Sequence, residues 1–126
     1  MQPFVFTFDR SLLQGENTRL VNVPKELSNK GALLSWYANA LEFPEYFGKN
    51  WDAFDECLRD LSWMKERKLV LYHEGVPLNE SPKDQEIYID ILARAAQDWE
   101  PAEAHEVVAA FHPVCELKLQ AIARHR

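Results

Sequence analysis

Cysteine and glycine are scarce in this chain, with two of the first and four of the second among 126 residues. Cys57 and Cys115 lie far apart and neither belongs to a CxxC pair. That spacing excludes a disulfide framework and a zinc or thioredoxin-type motif, and the two thiols read as small buried hydrophobes. The glycines form no phosphate-cradling loop, and no metal motif or nucleophile elbow is present. His73, His105, His112 and His125 contain no i, i+4 pair and no HExxH. They read as surface or turn residues, and a Cys115/His112 nucleophile pair falls in a turn. No metal or other cofactor is called for. No run approaches the roughly 18 apolar residues of a membrane span. The opening MQPFVFTFDR lacks the positive and apolar regions of a secretory leader, so the expected address is the cytoplasm. A cationic excess is missing too: 14 Lys+Arg stand against 20 Asp+Glu, a formal charge of −6. That balance argues against direct nucleic-acid binding, which needs cations to replace counterions. It permits a basic protein as partner.

What is present suits one soluble domain over 1–126. Hydrophobic residues make up 47% and charged residues 27%, enough apolar material for a core without a staple. Phe4, Phe6 and Phe8 alternate with Val5 and Thr7 as a short strand. The turn Gln14-Gly15-Glu16-Asn17 leads to a second strand, Arg19–Val23, stopped by Pro24, and these two strands form a candidate hairpin. Ser28 or Asn29 caps a helix whose stripe is Leu33, Leu34, Tyr37 and Leu41, with Pro44 just beyond. Asn50 caps a second helix running to about Trp63, with Asp52 in its first turn, where the helix dipole favours an acid. Leu69–Tyr72 suits a central parallel strand buried on both faces. Ser81-Pro82 opens a helix carrying Ile87, Tyr88, Ile91, Leu92, Ala95 and Trp99, and Pro101 ends it. Val107–Phe111 is the next buried strand. Cys115, Leu117 and Leu119 then alternate with polar residues, which suggests an antiparallel edge strand, although 117–122 also fits a helix. The order is that of an α/β fold with a small parallel sheet flanked by helices.

The charge is not evenly spread. On a helical projection Trp51, Phe54, Cys57, Leu58 and Leu61 share one arc, while Asp52, Asp55, Glu56, Arg59 and Asp60 share the opposite one. With Glu42, Glu45 and Lys49, residues 42–60 hold six acids and two bases, a local net of −4 out of −6. A solvated helix face with an Asp55–Arg59 pair is the plain interpretation. Two features point elsewhere. Asp52, Asp55 and Glu56 are mutually repelling helical neighbours, which costs a few tenths of a kcal/mol per pair, roughly. Tyr46 and Phe47 beside Gly48 set aromatics against the acidic stripe, as at interface hot spots. The plain alternative there is that Phe47 is core and Tyr46 a half-buried loop anchor.

At this point the sequence resembles the barstar family. Pro44-Glu45-Tyr46-Phe47-Gly48-Lys49-Asn50-Trp51-Asp52-Ala53-Phe54-Asp55-Glu56-Cys57-Leu58 looks like that family's pattern P-E-Y-[YF]-G-x-N-x-D-A-[LF]-x-[DE]-C-L. The likeness covers roughly 18–100, so residues 1–17 and 113–126 read as extensions, with additional antiparallel strands possible at both ends. It implies a three-stranded parallel sheet with helices, and an intracellular inhibitor of small ribonucleases, not an enzyme. It also implies that this helix and the loop before it enter the nuclease cleft, through Tyr46, Gly48, Asn50, Asp52 and Glu56. Phe47, Asp55 and Asp60 join them as partner-facing candidates. Two positions depart from the best-known pattern: Glu56 replaces an aspartate and Asp55 an aromatic. A further acidic contact on the later helix has no counterpart, since that region reads Ala93-Arg94-Ala95-Ala96. The expected partner is a basic, extracellular-type ribonuclease or nuclease toxin, with no membrane involved. The alternatives are an immunity protein for a DNase or another toxin, and a hydrolase using Asp52 and Glu56 as an acid/base pair.

Overall fold

The computed structural model of the chain describes residues 3–44, 48–97 and 105–124. In chain order its elements are β1 (Phe4–Phe6), β2 (Thr18–Val23), α1 (Lys30–Ala40), α2 (Trp51–Asp60), β3 (Lys68–His73), α3 (Pro82–Gln97), β4 (Glu106–Phe111) and α4 (Glu116–Arg124). Short 3₁₀ turns occupy Arg10–Leu13 and Pro113–Cys115. The four strands form one sheet in the order β1-β4-β3-β2, and every pairing is parallel. The fold is therefore α/β as expected, with four strands in place of three.

The apolar run Leu69–Tyr72 lies at the centre, as its composition predicts. Leu69 and Leu71 point into the larger core with the buried residues of all four helices, and Val70 and Tyr72 point to the other face. Leu20, Val108, Ala110 and Leu13 of the first 3₁₀ turn pack against that second face. A parallel sheet needs cover on both sides, and here the segment between β1 and β2 supplies part of it.

The helix ends follow local rules. Asn29 caps α1 by accepting from the Ala32 amide at 2.9 Å. At the other end Glu42 takes a left-handed φ of 54° and the Phe43 amide donates to the Ala38 carbonyl at 3.0 Å. That is a Schellman closure, which satisfies a helix carbonyl. Leu33, Leu34, Tyr37 and Leu41 are buried as their spacing predicts. In α3 the apolar stripe is buried at Tyr88, Ile91, Leu92 and Ala95, with Ile87 partly covered; Trp99 and Pro101 lie outside the described residues.

Several expectations need correction. β1 and β2 form no hairpin: they lie at opposite edges of the sheet, and neither is antiparallel to its neighbour. β1 adds beside β4 because Phe4 and Phe6 can pack on the Phe111 ring, with centroids 5.1 and 6.3 Å away. The amide of Thr7 extends the ladder to the Phe111 carbonyl at 3.0 Å. The segment after Pro113 is likewise not an antiparallel strand but a 3₁₀ turn followed by α4. The period of two there is accidental: Leu117 is 79% exposed, while Cys115, Leu119 and Ile122 are buried at helical spacing. The second helix stops at Asp60, not Trp63, because Leu61 adopts a left-handed φ of 50°.

The histidine expectation fails at two positions. His105 is buried, with Nε2 2.7 Å from the Met64 carbonyl. His73 is fully buried against Phe111, its ring stacked at 4.1 Å and 12°. Its Nδ1 lies 3.0 Å from the Ala110 carbonyl, which can only accept, so Nδ1 carries the proton. Its Nε2 therefore accepts from Tyr88 Oη at 2.7 Å, and Tyr88 Oη accepts in turn from Tyr37 Oη at 2.6 Å. Both cysteines are buried free thiols, as read.

Burial lowers the His73 pKa from 6.5 to about 4. Below pH 6.5 the unfolded chain takes up a proton that the folded chain refuses. Stability is therefore lost as pH falls from about 6.5 to about 4, by about 3 kcal/mol from this group. A His73→Leu variant is less stable at pH 7, by about 1–3 kcal/mol for the buried Tyr88 hydroxyl it leaves without its acceptor, but lacks this component of the pH slope. Urea unfolding of both proteins at pH 7 and pH 5 checks this: equal slopes would exclude His73 as the source.

An acidic helix face as candidate partner-binding site

The candidate site is built on α2. Asn50 stands just outside the helix in an extended conformation, and its side chain accepts from the Ala53 amide at 2.8 Å. Lys49 before it has a left-handed φ of 53°, and Gly48 before that does not have positive φ. A Cβ at Gly48 would stand 3.2 Å from Asn50 Nδ2, so a larger residue there would press on the capping side chain. Tyr46 and Phe47 lie outside the described residues.

The projection of α2 into an apolar and a charged arc holds. Phe54, Cys57, Leu58 and Leu61 are buried, and Trp51 is partly covered. Phe54 sits in a ring cluster with Tyr37, Phe43, Trp51 and Tyr88, at centroid distances of 4.7 to 6.3 Å. Trp51 Nε1 donates to Asp84 Oδ1 at 3.2 Å, and the other oxygen of Asp84 accepts from Ser81 Oγ at 2.9 Å. α2 is thus fixed to the first turn of α3 by a polar tether as well as by packing. Sequence reasoning missed this tether; Asp84 three residues after Ser81 was the available signal, a capping pattern in which the acid also reaches a neighbour.

The acids divide into two groups. Asp52, Glu56 and Asp60 follow one another at i, i+4, i+8 and all face solvent. Asp52 and Glu56 make no hydrogen bond or ion pair among the described residues. Asp60 accepts only from Ser62 Oγ, at 3.2 Å, among the contacts described. Asp55 behaves differently. Its side chain is 24% exposed; Oδ1 is 3.1 Å from Arg59 Nε and Oδ2 is 3.9 Å from Arg94 Nη1 of α3. Asp55 thus has internal partners. Glu42 also pairs, with Arg19 at 3.6 Å. Among the described residues the free negative charge of the region is smaller than the residue count suggests and is gathered in the line Asp52–Glu56–Asp60. Its field reaches inward: the Cys57 pKa is raised from 9.0 to about 11 by burial first, then by Asp60 and Glu56.

This geometry offers unpaired carboxylates on a convex, rigid surface. Among the described residues, Asp52 and Glu56 do not line an enclosed pocket of the kind in which an acid/base pair works. Larger hollows lie elsewhere: about 490 Å³ between α3 and α4, and about 580 Å³ at the carboxyl ends of the strands, beside Arg10, Lys25, Glu74 and His112. Among the described residues, no group of three or more His, Cys, Asp or Glu side chains is placed to hold a metal ion. No helix there is long and apolar enough to cross a membrane.

A family model described as Barstar (barnase inhibitor) matches residues 20–112. Neither curated proteins nor solved structures yield a match to the chain.

Since Asn50 holds the first turn of α2, Asn50→Ala should lower stability by about 1 kcal/mol, and Asn50→Asp should retain most of it. Urea midpoints measure both; an Asn50→Ala midpoint equal to the parent's would show that the cap contributes nothing.

Proposed function

The chain belongs to the barstar family, and from that membership we propose that it inhibits a ribonuclease by laying the exposed face of α2 and the preceding loop into the nuclease's active cleft. The observation that carries the reading is the line of solvent-facing carboxylates Asp52, Glu56 and Asp60 on a helix anchored by its opposite face. A ribonuclease must gather Arg, Lys and His in its cleft to hold RNA phosphates and stabilise developing charge. Carboxylates spaced one helical turn apart, about 5.4 Å, can occupy those phosphate positions. Asp52 and Glu56 take the cleft cations, and Asp60 extends the field. Tyr46 and Phe47 pack at the rim in this reading, and Gly48 and Asn50 shape the loop. Asp55 contributes through its hold on Arg59 and Arg94. The protein performs no chemistry; it occludes the cleft. Capture in the cytoplasm, before RNA is cut, makes a fast association useful, and opposite potentials supply it.

A nuclease toxin that acts on DNA has a similarly cationic cleft and is the second reading. The family membership favours a ribonuclease.

Inhibition of a panel of small basic ribonucleases, with DNases alongside, tests the proposal. The parent should inhibit at least one ribonuclease. Asp52→Ala and Glu56→Ala should each weaken that inhibition about thirtyfold or more, the loss expected when one member of a desolvated charge pair is removed. Inhibition of DNases alone, or full inhibition by both variants, would sink the reading. The association rate should also fall steeply between low and physiological salt, as stopped-flow mixing would record; a flat salt profile would remove electrostatic steering from the mechanism.

A further inference from the structure

We propose that the chain pairs with a second copy of itself through the face of the sheet opposite the helices, in a two-fold dimer that leaves the α2 face of each copy outward. The inference goes beyond the inhibitor reading and does not depend on it.

The buried residues of all four helices pack on one side of the sheet. Among the described residues, the other side is covered by the segment between β1 and β2, whose 3₁₀ turn at Arg10–Leu13 crosses it as a ridge. Leu13 packs on the cluster of Val70, Tyr72 and Ala110. The ridge is pinned in place: Asp9 Oδ1 accepts from the Ser11 amide at 3.1 Å, and Arg10 Nη1 donates to Asn22 Oδ1 of β2 at 3.0 Å. A hollow lies on each flank, one of about 580 Å³ beside Tyr72 and one of about 440 Å³ beside Val70 and Val108. Five large apolar side chains stand exposed among the described residues, and four of them line these hollows: Phe8 and Val114 the first, Val5 and Leu12 the second. Phe8 is 79% and Leu12 74% exposed.

Charge, shape and extent point to a second copy as the occupant. The residues lining the hollows hold four bases, Arg10, Lys25, Arg67 and Lys68, and three acids, Asp9, Glu16 and Glu74. Glu106 adds a fourth acid, 3.6 Å from Arg67. The face is therefore neutral, whereas the whole chain carries −6. Two copies meet here without the net repulsion that opposes their approach elsewhere, while a basic nuclease is drawn to α2 instead. A two-fold contact also needs a self-complementary surface, on which residue i meets j while j meets i. A ridge beside a hollow meets that need: Leu12 of one copy enters the hollow beside Val70 and Val108 of the other, and receives the same in return. Twenty-one residues line the two hollows, within the roughly 20–30 a side that a stable interface uses. Because α2 packs on the opposite side of the sheet, one dimer presents two acidic faces pointing apart.

Sedimentation velocity across a concentration series reads the mass of the parent, Leu12→Asp, Phe8→Ser and Leu117→Asp. Leu12 and Phe8 are exposed, so their variants keep the fold, which circular dichroism and urea midpoints check. Leu117 is the control: it is as exposed as Phe8 but sits on α4, whose buried residues pack on the helix side. The parent should reach twice the mass of one chain. Leu12→Asp and Phe8→Ser should each raise the dimer dissociation constant about tenfold or more, and Leu117→Asp should leave it unchanged. A parent that stays monomeric at every concentration overturns the proposal, and so does a dimer indifferent to both face variants or weakened equally by Leu117→Asp. Where a ribonuclease is inhibited, light scattering should find two nucleases per dimer, and Leu12→Asp should inhibit as the parent does. One nuclease per dimer would mean that α2 is covered, and overturns the placement. If no ribonuclease is inhibited, the inhibitor reading falls alone, and the masses still decide the dimer.

Discussion

An imidazole taken out of water must find a partner for each ring nitrogen or lose the hydration it left behind. His73 meets that demand with the Ala110 carbonyl on one side and the Tyr88 hydroxyl on the other, and Tyr88 is satisfied in turn by Tyr37. The result is a directed chain of three hydrogen bonds from α1 through α3 and β3 to β4. Burial raises the pKa of both tyrosines and lowers that of His73, so all three groups stay neutral at pH 7. Phe54 of α2 packs against Tyr37 and Tyr88, the two hydroxyl-bearing rings. The helix that carries the acidic face therefore rests on side chains whose orientation is set by donors and acceptors and not by shape alone. Without those hydrogen bonds, packing alone would leave the rings freer to rearrange.

Rigidity matters to what the outer face can do. Two unpaired carboxylates one turn apart repel each other, and nothing among the described residues compensates Asp52 and Glu56. The helix tolerates them because its apolar arc is fully engaged, its first turn is capped by Asn50, and Trp51 is tied to Asp84. A face held in this way loses little entropy on docking, which is where much of the cost of association otherwise lies.

The α2 face was legible in the sequence because an amphipathic helix declares itself by period and its start by Asn50. The central strand was legible because Leu69–Tyr72 is apolar on both parities. What failed had physical causes. The partner of β1 is β4, and no local pattern in Phe4–Phe6 identifies a strand so distant in sequence. The alternation after Pro113 looked like a strand because Leu117 is an exposed leucine, and only burial separates it from Leu119. The sign count over 42–60 overstated the free charge because it could not show that Asp55 reaches Arg94 or that Glu42 reaches Arg19. His73 looked like a surface residue because a lone histidine carries no sign of the tyrosines that will satisfy it.

The pairing of β1 with β4 also bears on how the molecule comes into being. Phe4 aligns with Ala109 and Phe6 with Phe111, so β1 leaves the ribosome long before the strand it pairs with. Synthesis runs at about 5–20 residues per second, so β1 spends roughly 5–20 s without its neighbour. Meanwhile β2 and β3, with α1 and α2 between them, have all their parts. Closing the loop from β1 to β4 is a long-range step of the slow kind. Nascent chains thus pass through a stage with Phe4 and Phe6 uncovered, in which the acidic helix is already made while the strand that finishes the sheet is still searching for its edge.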